Sequence, residues 1–206
     1  MARKSIFKKS HAKHGLNFFS FSKSPLRSIL AILLLGISIG VAYEEMVGIG
    51  TWHKFPATTS EINVCFTPPS GCGSLVAQQI AGAKESVLVQ AYGLTSDMII
   101  HQLESAHARG VKVMILLDGG NLSDNHDIFE QFKKLGIPIH YDKMPGIAHN
   151  KVMIIDRKKV ITGSFNFTRA ADNKNAENVL LIEDKNLAKL YIQNWQSRAK
   201  MNGAWE

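Results

Sequence analysis

A chain of 206 residues with 45% apolar side chains has the length of one ordinary domain plus an extension, and enough hydrophobic content for a sizeable core; this excludes a disordered or low-complexity protein. The formal charge of +7 invites a nucleic-acid reading, but its location removes most of that force. Seven basic residues (Arg3, Lys4, Lys8, Lys9, Lys13, Lys23, Arg27) stand in residues 1–28 without an acidic one, and the 17 left of the 24 Lys and Arg equal the 17 Asp and Glu.

The N-terminal tail reads as a targeting device. No charge occurs for 16 residues between Arg27 and Glu44, and Ile29–Leu35 is continuously apolar. That run is short for a spanning helix, which needs about 20 apolar residues. Gly40-Val41-Ala42 offers a small-x-small cleavage site after Ala42, whereas the long basic stretch before it favours an anchor kept through about residues 28–43. Both readings export everything after Glu44, leaving it secreted, periplasmic or membrane-tethered. Residues 1–43 are therefore expected as the targeting region, 44–60 as a linker around Pro56 and Thr58-Thr59-Ser60, and 61–206 as the folded domain.

Cys65 and Cys72 flank Pro68-Pro69-Ser70-Gly71, a turn-forming stretch that can bring their sulfurs together. In an oxidising compartment the pair reads as a disulfide, with two free buried thiols as the other possibility. Beyond them the pattern alternates. Ser86–Tyr92 is β-rich, and Ser96–Arg109 has helical spacing with Ser96 as N-cap and Gly110 as the stop. Val111–Leu117 is short enough for a buried strand. His126–Leu135 reads as a helix, Ile137–Tyr141 as a strand, and Lys151–Asp156 and Val160–Gly163 as two more around a polar turn. Asn178–Glu183 is a further strand, and Lys185–Lys200 an amphipathic closing helix. Strands alternating with helices give the α/β class, with a single mixed sheet flanked by helices on both faces.

The chemistry concentrates at His149-Asn150-Lys151 through Asp156, and at Gly163-Ser164-Phe165-Asn166. In extended chain, side chains alternate faces with a period of two, so His149 shares a face with Lys151, and Ser164 with Asn166. One nucleophile or acid–base group, one fixed cation and two neutral hydrogen-bonding groups suit an anionic, oxygen-rich centre such as a phosphodiester. By the same parity Asp156, seven residues from His149, falls on the opposite face and is expected to pin the following turn. No His/Cys cluster with metal spacing is visible, so neither a metal nor another cofactor is expected.

HxKxxxxD followed by GSxN resembles the signature of the phospholipase D superfamily, and the likeness runs from about Val64 to Trp195. It is closest to small single-motif bacterial members, a secreted phospholipase D type and a plasmid-encoded endonuclease type. The resemblance implies that His149 attacks phosphorus and forms a covalent phosphohistidine. Lys151, Ser164 and Asn166 would bind the phosphoryl oxygens, with Gly163 and Asp156 as motif residues. Glu177 matches a family glutamate that binds the other ring nitrogen of the histidine; from the residues alone, an exposed glutamate entering a strand fits equally well. Two-motif members take their second proton-transfer group from a second copy of the motif. Here His11-Ala12-Lys13 begins one, but Phe18 stands at the aspartate position. A two-fold homodimer with the site at its interface supplies the missing group. Phospholipid is the expected substrate, a sequence-nonspecific nuclease is the alternative, and an inactive binding module is a third reading.

Overall fold

The computed structural model describes residues 29–38, 60–68, 71–143 and 145–204. The basic tail, the Ala42 cleavage site and the linker up to Thr59 lie outside these residues. Residues 29–38 are helical (α1), with their large apolar side chains exposed. Among the described residues no helix is long and apolar enough to cross a membrane.

From residue 60 onward the chain builds one seven-stranded mixed sheet. The elements are β1 (Glu61–Thr67), α2 (Cys72–Ala81), β2 (Ser86–Ala91), α3 (Asp97–Ala108), β3 (Lys112–Asp118), α4 (Leu122–Lys134), β4 (Ile139–Asp142), β5 (Lys151–Ile155), β6 (Lys159–Gly163), α5 (Arg169–Asn173), β7 (Glu177–Glu183) and α6 (Lys185–Met201). The strand order is β1-β7-β6-β5-β2-β3-β4. β2, β3 and β4 are parallel, as the intervening helices α3 and α4 require, and every other pair is antiparallel. The central strand is β5, buried along its whole length.

Helices cover both faces. Val87, Val89, Met153, Ile155 and Ile161 pack with residues of α2 and α3 such as Val76, Ile80, Ile99 and Leu103. On the other face Leu116, Val152, Ile154 and Val160 pack with Ala188, Trp195 and Ala199 of α6. The Trp195 indole donates to the Val89 carbonyl at 2.9 Å, so the largest side chain of α6 is satisfied as well as buried. The end of α6 is fixed by a polar cluster around Asp142, which is fully buried. Its carboxylate accepts from the Arg198 guanidinium, from Asn202 at 2.9 Å and from Gln90 at 3.2 Å.

Three elements have no counterpart in the sequence reading: β1, α2 and α5. α4 begins at Leu122 rather than at His126. Ser96 does stand at the N-cap of α3, but its hydroxyl makes no capping bond; the Thr168 hydroxyl caps α5 and the Asp184 carboxylate caps α6. A disulfide joins Cys65 of β1 to Cys72 of α2 and ties the edge strand to the first helix of the domain.

Asp156 and Arg157 take φ of 51° and 58°, and the Lys158 N–H closes the turn on the Ile155 carbonyl at 3.1 Å. Two successive left-handed residues make the hairpin turn that matches strand twist. Asp156 does not pin this turn with its side chain, as the parity argument expected. Its carboxylate turns instead to the start of the neighbouring strand β2 and accepts the backbone N–H groups of Lys84, Glu85 and Ser86, the Glu85 bond at 2.8 Å. Burial pushes its pKa up, but these three N–H donors and Lys158 outweigh it, and the net shift is downward. Asp156→Asn tolerates the left-handed backbone while weakening this grip. We expect it to cost about 1–2 kcal/mol, read as a fall of roughly 3–6 °C in Tm. Because the folded pKa is depressed, the aspartate's contribution is complete above about pH 5 and is lost as acid carries the pH through the folded value. The gap between wild type and variant should therefore close in acid; a gap independent of pH would show that the carboxylate charge does not matter.

Candidate active site

His149 lies on the segment between β4 and β5, which has no regular structure of its own. Two backbone bonds hold it on either side. The Ala148 N–H donates to Asp118 Oδ1 at 2.6 Å, and the Tyr92 N–H donates to the Asn150 carbonyl at 2.9 Å. The imidazole itself is exposed, and its ring meets the Tyr92 ring edge-on, with centroids 4.8 Å apart and an interplanar angle of 69°.

Lys151 opens β5 and is only 8% exposed. Its ammonium donates to the His149 carbonyl at 2.9 Å and lies 5.3 Å from the Tyr92 ring centroid. Burial pushes its pKa below the ordinary lysine range, while the Glu177 carboxylate pulls the other way. The lysine is thus a buried charge beside an exposed histidine, a cation with few competing waters at the spot where an anion would sit.

The second motif approaches from β6 and β7. Register pairs Val152 with Thr162, so one step on Lys151 lies beside Gly163. At Gly163 φ is 151°, and a Cβ would run into the Asn178 carbonyl, so only glycine lets β6 end this close to β7. Ser164 and Phe165 then direct their N–H groups to that same carbonyl at 3.2 and 3.4 Å. Phe165 and Phe167 are buried in the core, between which Asn166 is half-buried. Its amide oxygen has no hydrogen-bond partner among the described residues. As an acceptor that oxygen calls for a donor, so a phosphoryl oxygen would fall to the side-chain N–H groups of the same amide.

Residues 76–198 match the family described as cardiolipin synthase, PLD-like domain. The chain is 46% identical over 191 residues to a protein of Rickettsia bellii named phospholipase D, covering 85% of this chain and 95% of that one. It is 52% identical over 187 residues to the phospholipase D of Rickettsia prowazekii, with 83% and 91% covered. The crystal structure of Nuc, a phospholipase D family member from Salmonella typhimurium, superposes with a TM-score of 0.66 at 35% identity, over 68% of this chain and 95% of that one. The chain belongs to the phospholipase D family.

As a phospholipase D family member it is a hydrolase acting on phosphodiester bonds. For Glu177 the sequence reading left two places open, the free ring nitrogen of the histidine and an exposed position at the entry of a strand; it opens β7. Within the chain, the Glu177 carboxylate accepts from the Ser164 hydroxyl at 2.5 Å and from the Asn175 amide at 3.1 Å. The cause is register: Glu177 starts β7 directly beside the end of β6, so Ser164 is its nearest donor. Ser164 in turn accepts from the N–H and the side-chain amide of Asn178 at 3.1 and 3.2 Å, which orients its proton toward Glu177. Among the described residues, no group of three or more His, Cys, Asp or Glu is arranged to hold a metal ion.

Two residues at the phospholipase D site were absent from the motif reading. Tyr92 follows β2 and touches both motif residues; Asp118 ends β3, is 1% exposed, and keeps its second carboxylate oxygen without a partner among the described residues. Asp118 had a legible signal, a carboxylate closing a buried apolar strand, since α/β sites gather at the carboxyl ends of parallel strands.

The surroundings of the site separate two kinds of surface. The turn cations Arg157, Lys158 and Lys159, close to the motif in sequence, lie at the far end of β5. Arg169 is engaged by Asp97 at 2.6 Å. Lys143 and Lys174, at the His149 end, are exposed and form no ion pair among the described residues. Exposed apolar side chains stand at the same end: Phe66 near the end of β1, Met98 and Leu122 in the first turns of α3 and α4, and Ile147 two residues before His149.

Proposed function

We propose that the chain is an exported phosphodiesterase that releases phospholipid head groups through a covalent phosphohistidine on His149, working as a homodimer. The observation that carries the chemistry is the pairing of an exposed imidazole with a buried ammonium against one tyrosine ring. A neutral His149 nitrogen attacks phosphorus; the P–N bond forms as the bond to the leaving oxygen breaks. Lys151 would neutralise the non-bridging oxygens, the Asn166 amide N–H groups would add neutral hydrogen bonds, and Ser164 would join them once its one proton turns from Glu177 to the substrate. The leaving alkoxide takes its proton from His149 of the partner subunit across a two-fold axis. Water then attacks phosphorus, yields its proton to the partner's His149, and releases the nucleophile as the P–N bond breaks. No step calls on a metal or cofactor.

The lipid reading is supported by the exposed apolar side chains at the His149 end, which suit the edge of a bilayer better than a phosphate backbone. The names of the Rickettsia relatives agree with it. Export, with the domain freed near Ala42 or tethered through residues 28–43, rests on the charge pattern of the tail. A nuclease reading has Lys143 and Lys174 in its favour, a small cationic set for a partner bound largely through counterion release. The test is side by side. The purified chain is incubated with phosphatidylcholine vesicles and, separately, with single- and double-stranded DNA, at low and physiological salt. Head-group release that persists at physiological salt and vanishes in His149→Ala is the expected result. Efficient DNA degradation without head-group release would replace the lipid reading with the nuclease one.

A further inference from the structure

We propose that Tyr92 is a positioning residue of this site, a clamp whose ring fixes the His149 imidazole and the Lys151 ammonium in one geometry. The inference rests on the reading of His149 as nucleophile and Lys151 as phosphate-binding cation.

The backbone of the His149 segment is fixed by its neighbours, but the two side chains have few polar ties of their own. Among the described residues the His149 imidazole makes no hydrogen bond to Glu177, and its ring meets the Tyr92 ring edge-on. Lys151 has no ion pair within 4 Å among the described residues; its ammonium has the His149 carbonyl and the tyrosine face. Tyr92, by contrast, is held on three sides. Its N–H donates to the Asn150 carbonyl at 2.9 Å. Its own carbonyl accepts from the Asn125 amide at 2.9 Å and from the Asn121 amide at 3.3 Å. Asn125 is itself fully buried, at the N-terminal turns of α4. The position of the tyrosine is thereby set by β2, by α4 and by the strand that carries the motif, and its ring transmits that position to both reacting groups.

A ring in this place does two things. Edge-to-face packing limits the imidazole to orientations that keep one nitrogen directed outward. The aromatic face also favours a protonated lysine, opposing the burial that works against its charge.

The experiment uses the full-length chain and a soluble phosphodiester, bis(p-nitrophenyl) phosphate, so that its outcome does not depend on lipid or nucleic-acid preference. Tyr92→Leu should lower kcat about 10- to 100-fold, the scale of a small misplacement of a reacting group, with KM changed less. Beyond the alkaline limb set by the protonated His149 of the partner subunit, the residual rate should fall away at lower pH than in the wild type, because Lys151 without the ring surrenders its proton sooner. Tyr92→Phe keeps the ring and should retain kcat and the wild-type pH profile. Tyr92→Met, equally ringless, gives the same comparison if the Leu variant does not fold. Ringless variants that are folded and keep wild-type kcat and pH profile would overturn the proposal, as would a Phe variant as poor as the ringless ones. Activity persisting in His149→Ala would instead remove the reading beneath it, and the two failures are told apart by that control.

Discussion

His149→Ala should abolish phosphodiester hydrolysis while leaving the fold in place. The imidazole is exposed and its segment is held by backbone bonds to Asp118 and Tyr92, so its loss removes little packing. Acid–base roles alone are worth about 10²–10⁴-fold, and a residue serving as nucleophile in one subunit and proton donor in the other should cost at least about 10⁴-fold. Lys151→Arg should also impair, by roughly 10²-fold, because a planar fork cannot take the place of a compact buried ammonium under the Tyr92 ring. Rates on a soluble diester, with circular dichroism as the control for folding, check both. If the homodimer reading is correct, a tagged wild-type subunit paired with a His149→Ala subunit should be defective, since the shared site lacks one of its two histidines. A fully active monomer would assign the second proton transfer to another residue. Complete inhibition by a chelator, reversed by a divalent ion, would end the metal-free mechanism.

The largest effect on stability is expected at Arg198→Ala. Arg198 pairs with an Asp142 carboxylate that is fully buried at the end of β4, and it brings the last turns of α6 onto the sheet. Removing the guanidinium strands a buried charge, which in comparable cases costs about 3–5 kcal/mol. For a domain of this size that is a fall of roughly 10 °C or more in Tm. Replacing both partners, Asp142→Asn with Arg198→Met, should recover much of the loss, because the penalty belongs to the unpaired charge and not to the absence of the pair. Thermal unfolding of the four proteins of the Asp142→Asn and Arg198→Met cycle, with Arg198→Ala beside them, measures it. A double variant as unstable as Arg198→Ala, although methionine keeps the packing of the stem, would show that the pair itself stabilises the fold and that no unpaired charge is being relieved.

The strands and helices that could be read from the sequence share one property, a hydrophobic period long enough to identify itself. Val111–Leu117, Lys151–Asp156 and the amphipathic Lys185–Lys200 fall within a residue or two of β3, β5 and α6. β1 escaped because its Ile62, Val64 and Phe66 point to an uncovered stretch of the sheet, where alternation carries little information. α2 escaped because its entry, Gly71-Cys72-Gly73, looks like the continuation of a turn. Five-residue α5 has no period to detect, and its Thr168 cap is visible only once the helix is known.

At the site, the chain alone named the candidate groups. The HxKxxxxD and GSxN spacing points to His149, Lys151, Ser164 and Asn166 through its resemblance to the phospholipase D signature, whereas strand parity does not place them, since His149 precedes β5 and Ser164 and Asn166 follow β6. It could not determine what those groups touch. Burial of Lys151 follows from β5 lying at the middle of the sheet; the bond from Ser164 to Glu177 follows from β6–β7 register; Tyr92 reaches both motif residues because β2 and β5 are antiparallel neighbours. Those contacts join residues 13 to 59 positions apart. Local pattern encodes the residue type and, within a strand, the face; distance across the sheet is decided by strand order and register, which exist only after the chain has folded.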